Sequence, residues 1–366
     1  MVIGLLVAGL VVTGVEIVSR HFLQKANKQV KPLLFSSSGW TQQLPSYQQN
    51  WGDELVVSYL DPHLGFAHNP AKHPLLHGTS GFVSYGDERR SESGLKLVAL
   101  GGSTTDPLTG IYLEDPEVDF ADPQNWPKAL GEIIRESGNE AEVLNGGVAG
   151  YSSNQELIKL IRDVLPLQPD IVMCLEGVNE LGFLQSVRNH PMVHPYQKKF
   201  FTQISNPRDS VVLPNTSAFI RKLFASSGRH IEGVSEGTEV AFSAAEQWER
   251  NCRIMNAIAI EHDIQFVAFL QPILGYGDYN MSSNEADMLK RKGAKYLLDV
   301  EEFYNQAREV CERNSYCIDL TNAFADEGDV YIDPRHQNVY GVEILAKAIN
   351  EKLVELKYLP AAETQR

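Results

Sequence analysis

Four short segments of this chain carry residue types that perform hydrolytic chemistry when they are brought together. Leu100-Gly101-Gly102-Ser103-Thr104 offers a hydroxyl nucleophile, Asn145-Gly146-Gly147 backbone donors, Gly177-Val178-Asn179-Glu180 a side-chain amide, and Asp333-Pro334-Arg335-His336 an Asp/His pair. A serine hydroxyl is a poor nucleophile until a neighbouring base takes its proton, and an imidazole does this best when a carboxylate fixes its tautomer. The chain order Ser, Asp, His fits such a triad, and a three-residue separation in a tight loop lets both side chains of the pair point to one side. A turn at the end of a strand lifts Ser103 above a sheet, with its own amide near a helix start where unpaired N–H groups receive an oxyanion. Gly147, lacking a Cβ, lets another N–H approach a reacting carbonyl, and Asn179 adds an amide donor.

These segments need elements that deliver them to one place. Leu95 to Leu100, Ala141 to Leu144, Ile171 to Leu175, Ile264 to Leu270 and Cys317 to Leu320 are short apolar runs bounded by Gly, Pro, Asn or Asp, and they read as strands. Helical spacing lies between and after them: Trp126 to Glu136, Asn154 to Leu165, Ala244 to His262, Tyr296 to Arg313 and Gly341 to Leu356. Strands alternating with helices predict βαβ crossovers and a parallel sheet of five strands covered on both faces. Ser153-Asn154-Gln155-Glu156 has the pattern of a capping box, with Leu157, Leu160, Ile161 and Val164 as the stripe behind it. Two insertions interrupt the alternation. Residues 106–124 are acidic (Asp106, Glu114, Asp115, Glu117, Asp119, Asp122) and read as a solvated run, while residues 181–243 carry His190 and His194 and read as a lid or a decoration.

Before the first strand the character differs. Val2 to Val18 is almost wholly apolar and ends at Ser19-Arg20-His21; as a helix it would be about 26 Å long against roughly 30 Å of bilayer hydrocarbon. A retained transmembrane helix over residues 1–19 is the expectation, followed by a stalk and loop-rich lead-in over 20–94, punctuated by Pro32, Pro45, Pro62, Pro70 and Pro74. Arg20, Lys25, Lys28 and Lys31 follow the span, so the positive-inside rule places the rest of the chain in the cytoplasm. The formal charge of −15 disfavours a nucleic-acid partner. With four cysteines there is no disulfide scaffold; Cys311 and Cys317 are spaced to pair in an oxidising compartment, and Cys174 and Cys252 read as core residues. No CxxC, HExxH or paired Cys/His spacing supports a metal, and no cofactor is implied.

Taken in order, Gly-Gly-Ser-Thr, Asn-Gly-Gly, Gly-Val-Asn-Glu and Asp-Pro-Arg-His-Gln-Asn-Val-Tyr-Gly resemble the four blocks of the SGNH hydrolase superfamily, also called GDSL esterases and lipases. The likeness covers about residues 95–356. It implies a three-layer α/β/α domain over 95–358 with a flavodoxin-like sheet, before a short tail at 359–366. Carried over by position, it implies Ser103 as nucleophile, the amides of Ser103 and Gly147 with the Asn179 side chain as oxyanion hole, His336 as base and Asp333 as its partner. The chain departs from the pattern at Gly102, where the family has Asp before the serine, and at Glu180, where it has Asp after the block-three Asn. The apolar N-terminus and Gly-Gly-Ser-Thr start also resemble membrane-tethered bacterial members that act on acyl groups of surface polysaccharides, whose catalytic domain faces outward, against the charge count. The function so implied is a serine esterase acting on a carbohydrate or lipid ester. An O-acyltransferase using the same triad and a non-catalytic binding module retaining the fold are the alternatives.

Overall fold

The computed structural model describes residues 58–61, 63–68, 81–85, 94–107, 124–181 and 243–360. The expected anchor at 1–19, most of the lead-in, His190, His194 and nearly all of both insertions lie outside these residues. Among the described residues no helix is long and apolar enough to cross a membrane.

The sheet is built from β3 (Val83–Tyr85), β4 (Leu95–Gly101), β5 (Ala141–Asn145), β6 (Ile171–Glu176), β7 (Gln265–Leu270) and β8 (Cys317–Asp319) in the spatial order β3-β5-β4-β6-β7-β8. The five strands expected from β4 onward are parallel and run second, first, third, fourth, fifth across the sheet, as a flavodoxin-like order requires. The expectation of a purely parallel sheet of five is corrected by β3, a sixth strand that pairs antiparallel with β5 at the edge. Three residues, Val83-Ser84-Tyr85, give too short an alternation for a strand to stand out in the sequence. A separate hairpin, β1 (Ser58–Asp61) with β2 (Gly65–His68), also lies inside the segment read as loop-rich lead-in.

Crossover helices cover the sheet. α1 (Trp126–Glu136) and α6 (Val339–Glu355) pack together, while α2 (Ser153–Lys159), α3 (Ala244–Glu261) and α5 (Ala294–Arg313) pack in succession. The central strands are therefore shut off from water: Leu97 to Leu100 and Val172 to Leu175 are fully buried, which is why they read as continuous apolar runs instead of alternating ones. α1 starts where Asn125 accepts from the Lys128 N–H and buries Trp126, Leu130 and Ile134, each side chain stabilising the domain by about 1.5–3 kcal/mol. The capping box of α2 is displaced by one residue from its expected place. Ser152 is the N-cap, with its N–H donating to Gln155, because Glu156 turns into the core. α2 continues as a π turn over Leu160–Val164 and a 3-10 turn over Leu165–Leu167. α4 (Ser283–Lys292), capped by Ser282 and Glu285, was not legible as a helix, since it buries little beyond Glu285 and Leu289.

Candidate active site

In a sheet of this order the chain leaves the first parallel strand for one neighbour and returns for the other, which opens a crevice at the carboxyl ends of the central strands. β4 and β6 flank that crevice. Ser103 follows β4 and Asn179 follows β6.

After β4 the backbone makes a single helical turn, closed by the N–H groups of Thr105 and Asp106 donating to the Gly102 carbonyl at 3.0 and 2.9 Å. Ser103 is the first residue inside it. Among the described residues no acceptor takes its N–H, as expected of an amide at the opening of a helical turn. Neighbouring side chains lock the turn. Thr104 Oγ1 donates to Gln271 Oε1 at 3.1 Å, and buried Thr105 accepts from Trp126 Nε1 at 3.0 Å.

The Asp/His pair sits on the tip between β8 and α6. An antiparallel bridge between Tyr331 and Gln337 and the Ile332 N–H donating to the His336 carbonyl at 3.0 Å close this tip. Asp333 Oδ1 accepts the N–H groups of Arg335 (2.7 Å) and His336 (3.0 Å), which fixes the carboxylate beside the ring. His336 Nδ1–H donates to Asp333 Oδ2 at 2.8 Å, the tautomer that leaves Nε2 to accept from the Ser103 hydroxyl at 2.7 Å. The sequence separation between these last two residues is 233. Burial pushes the Asp333 pKa up, but the hydrogen bond and electrostatic attraction of the His336 ring and the two backbone donors outweigh it and hold the carboxyl below its ordinary value. His336 is buried, so the imidazole has little freedom to leave this geometry.

Asn179 reaches the same place. Its amide nitrogen donates to the Tyr151 carbonyl at 2.5 Å and lies over the Gly102 Cα, where an added Cβ would meet it at 2.1 Å. Among the described residues its second N–H has no partner. The structure treats Gly147 differently from the other expected donors: its N–H donates to Asn145 Oδ1 at 2.9 Å in a buried setting, and its Cα presses on the Thr105–Asp106 backbone. This amide is committed to the framework. The glycine is required by close packing beneath the serine turn, a reason that a Gly-Gly pair in a sequence does not distinguish from an oxyanion donor. Asn145 itself has a role that residue types did not reveal, because its Nδ2 donates to the Thr105 carbonyl (2.7 Å) and to Asn125 Oδ1 (3.2 Å), tying the second loop to the first.

Glu180 anchors the Asn179 loop from below. Its two oxygens accept from Ser153 N–H at 2.8 Å and Gly177 N–H at 3.1 Å. Burial first, then the charge of Glu176, push its pKa up to about 7 against the pull of those backbone donors. One group among the described residues has donor atoms close enough for a metal: Glu156, Cys174 and Glu176, all buried, within 4.8 Å of one another. Trp248 Nε1 and Cys252 Sγ already donate to Glu176 Oε2, and burial followed by the Glu176 charge pushes Glu156 well above its ordinary value. Burial and the neighbouring charge therefore favour the neutral acid at Glu156, while Glu176 is met by protein donors.

No family model matches the chain, and no curated protein matches it. Among solved structures it is similar to Axe2, an acetylxylan esterase from Geobacillus stearothermophilus, at 15% identity, 71% of this chain, 94% of that chain and a TM-score of 0.40. It is also similar to LAE5, an alpha/beta hydrolase enzyme from the metagenome of Lake Arreo, Spain, at 16% identity, 73% and 97% coverage and a TM-score of 0.41. The acetyl xylan esterase AlAXEase gives 15% identity, 71% and 100% coverage and a TM-score of 0.40. At such identity and overlap the chemistry of the site rests on its own atoms.

Proposed function

We propose that this chain is a serine esterase of the SGNH type, with Ser103 as nucleophile, His336 as general base and acid, and Asp333 as the group that orients it. The observation that carries this reading is the continuous relay from Asp333 Oδ2 through His336 to Ser103 Oγ, with contacts of 2.8 and 2.7 Å. Ser103 attacks an ester carbonyl and passes its proton to His336 Nε2; the imidazolium returns that proton to the departing alcohol, leaving an acyl group on Ser103. Water, activated by the same nitrogen, then releases the acid. The oxyanion formed in each half-reaction is met by the Ser103 N–H and the second N–H of Asn179, donors set in place before the charge develops. Gly147 is left out of this hole, since its N–H is engaged by Asn145.

The substrate proposed is an acyl ester of a carbohydrate or lipid alcohol outside the cytoplasm. The Cys311–Cys317 disulfide, with its Cα atoms 4.5 Å apart, supports an oxidising compartment and opposes the orientation read from the basic residues after the apolar N-terminus. A fluorophosphonate probe on the full chain tests the mechanism: stoichiometric labelling that disappears in Ser103→Ala is expected, together with loss of p-nitrophenyl acetate turnover. Wild-type chain that takes no label, or an S103A variant that still turns over ester, would remove the reading.

A further inference from the structure

Asp106 and His68 are a second buried Asp/His pair, with Asp106 closing the serine turn. His68 Nε2 lies 3.1 Å from Asp106 Oδ2, with side-chain exposures of 3% and 0%. A carboxylate in such a place is costly unless its oxygens are well used. The Asp106 backbone N–H donates to the Gly102 carbonyl at 2.9 Å, closing the turn that presents Ser103. Its Oδ2 accepts the Ala149 N–H at 2.6 Å. Two residues further on, the Tyr151 carbonyl accepts the Asn179 amide at 2.5 Å. One residue thus holds the nucleophile's turn by its main chain and, by its side chain, the loop that aims the amide.

His68 brings the lead-in hairpin into this arrangement. Asp61, at the end of β1, accepts from the N–H groups of His63 and Leu64 at 2.9 Å each and from Arg162 Nη1 at 2.9 and 2.7 Å, fastening the hairpin to the π turn that follows α2. Leu64 and Ala67 pack with Val148 and Tyr151 in a cluster separate from the main core. The hairpin therefore covers the 148–151 loop on its apolar side and clamps it through His68 on its polar side.

We infer that Asp106, held by His68 of the lead-in hairpin, is a positioning residue that sets the Asn179 amide against the Ser103 turn, so that residues 58–68 are part of the catalytic unit. This rests on the serine-esterase reading and deepens it, since it names what preorganises the hole that the reading invokes.

The test uses the full chain with Asp106→Leu, His68→Phe and the conservative His68→Gln, with rates divided by the active sites that a fluorophosphonate titrates. For D106L and H68F, kcat on p-nitrophenyl acetate should fall about tenfold to a hundredfold, less than the roughly 10²–10³ of deleting a donor outright, with KM within about threefold. Affinity for phenylboronic acid, whose tetrahedral adduct on serine mimics the oxyanion, should weaken by the same factor. A residue that served stability alone would lower the melting temperature and leave both ratios unchanged. Wild-type kcat and boronate affinity per site in D106L and H68F overturn the inference. If D106L does not fold, the histidine pair decides: H68Q, which retains a donor, should recover kcat to within about threefold of wild type while H68F does not, and equal values in the two overturn the inference. S103A is run alongside. Turnover that survives S103A overturns the esterase reading and this one with it, whereas turnover lost in S103A but intact in D106L and H68F overturns this inference alone.

Discussion

Replacing Gly102 by alanine perturbs the Asn179 amide without altering that residue's own chemistry. The backbone at Gly102 is outside the left-handed region, so alanine meets no conformational penalty there. The added methyl meets Asn179 Nδ2 at 2.1 Å and the Tyr151 carbonyl at 3.0 Å. To reach the closest separation that real Cβ contacts show, 3.0 Å, the amide must retreat by 3.0 − 2.1, or 0.9 Å, and the carbonyl that holds it blocks one direction of retreat. A displacement of about 1 Å costs on the order of 10²-fold in rate for a positioned group, and loss of an oxyanion donor about 10²–10³, or about 3–4 kcal/mol. Gly102→Ala should therefore lower kcat on p-nitrophenyl acetate by about 10²-fold with KM little changed. Asn179→Ala should do the same, and the double variant should be no worse than N179A alone, because both changes remove one donor. Steady-state kinetics on titrated sites, with melting temperatures to exclude unfolding, read this out. Wild-type kcat in G102A, or losses that add in the double variant, would refute the assignment of Asn179.

The triad predicts that Asp333→Asn, which misdirects the imidazole tautomer, lowers kcat by about 10⁴ with the fold retained. Because the folded state holds the Asp333 pKa below the ordinary value of 3.8, its contribution to stability is present above that value and lost as pH falls through the lower folded one; denaturation below pH 4 should show a limb that D333N weakens. Glu180 has the opposite sign: raised to about 7 from an ordinary 4.5, it makes stability fall as pH rises across that window, and Glu180→Gln should flatten the slope in urea titrations at pH 5 and pH 8. Replacing Cys311 and Cys317, six positions apart, by serine should cost about 2 kcal/mol by the loop-entropy relation, seen as a lower melting temperature with kcat unchanged.

The fold was legible where burial on both faces wrote itself into composition. Val98-Ala99-Leu100 and Val172-Met173-Cys174-Leu175 admit no polar residue because helices cover both sides, and the Gly and Asn residues after them mark where the chain turns into the crevice. Ser103, His336, Asp333 and Asn179, which the structure brings together, stood out as candidates because each follows such a run or precedes a helix with clear caps. The lead-in hairpin and β3 were not legible, since strands of three and four residues have too few alternations to separate from loop. Asp106 was hidden by its company: five further acidic residues follow it in the stretch to Asp122, and composition made the run look solvated although its first member is buried beneath the serine turn. Gly147 erred the other way, because a backbone N–H has no sequence signature that tells whether an Asn two residues earlier has already claimed it.

The polar residues that break the apolar pattern also explain one another. Glu176 ends a strand of six buried residues, and Glu156 and Glu180 join it in the core, an arrangement that would be severely unfavourable were all three ionised. Each finds a different resolution. Glu180 has backbone donors on both oxygens, Glu176 takes the Trp248 and Cys252 donors, and Glu156, whose oxygens meet no protein donor, is pushed well above its ordinary value by burial. The neighbouring thiols of Cys174 and Cys252 are pushed up by burial and then by these charges, so they remain protonated and inert as nucleophiles. Glu180 of this cluster accepts from the Gly177 and Ser153 N–H groups, so it fixes the backbone that carries Asn179, while Asp106 accepts from the Ala149 N–H, two residues before the Tyr151 carbonyl that holds the Asn179 amide. Stability given up in burying carboxylates at both places is recovered as an amide that cannot drift, and a donor held rigid before charge develops is the condition under which an oxyanion hole lowers a barrier.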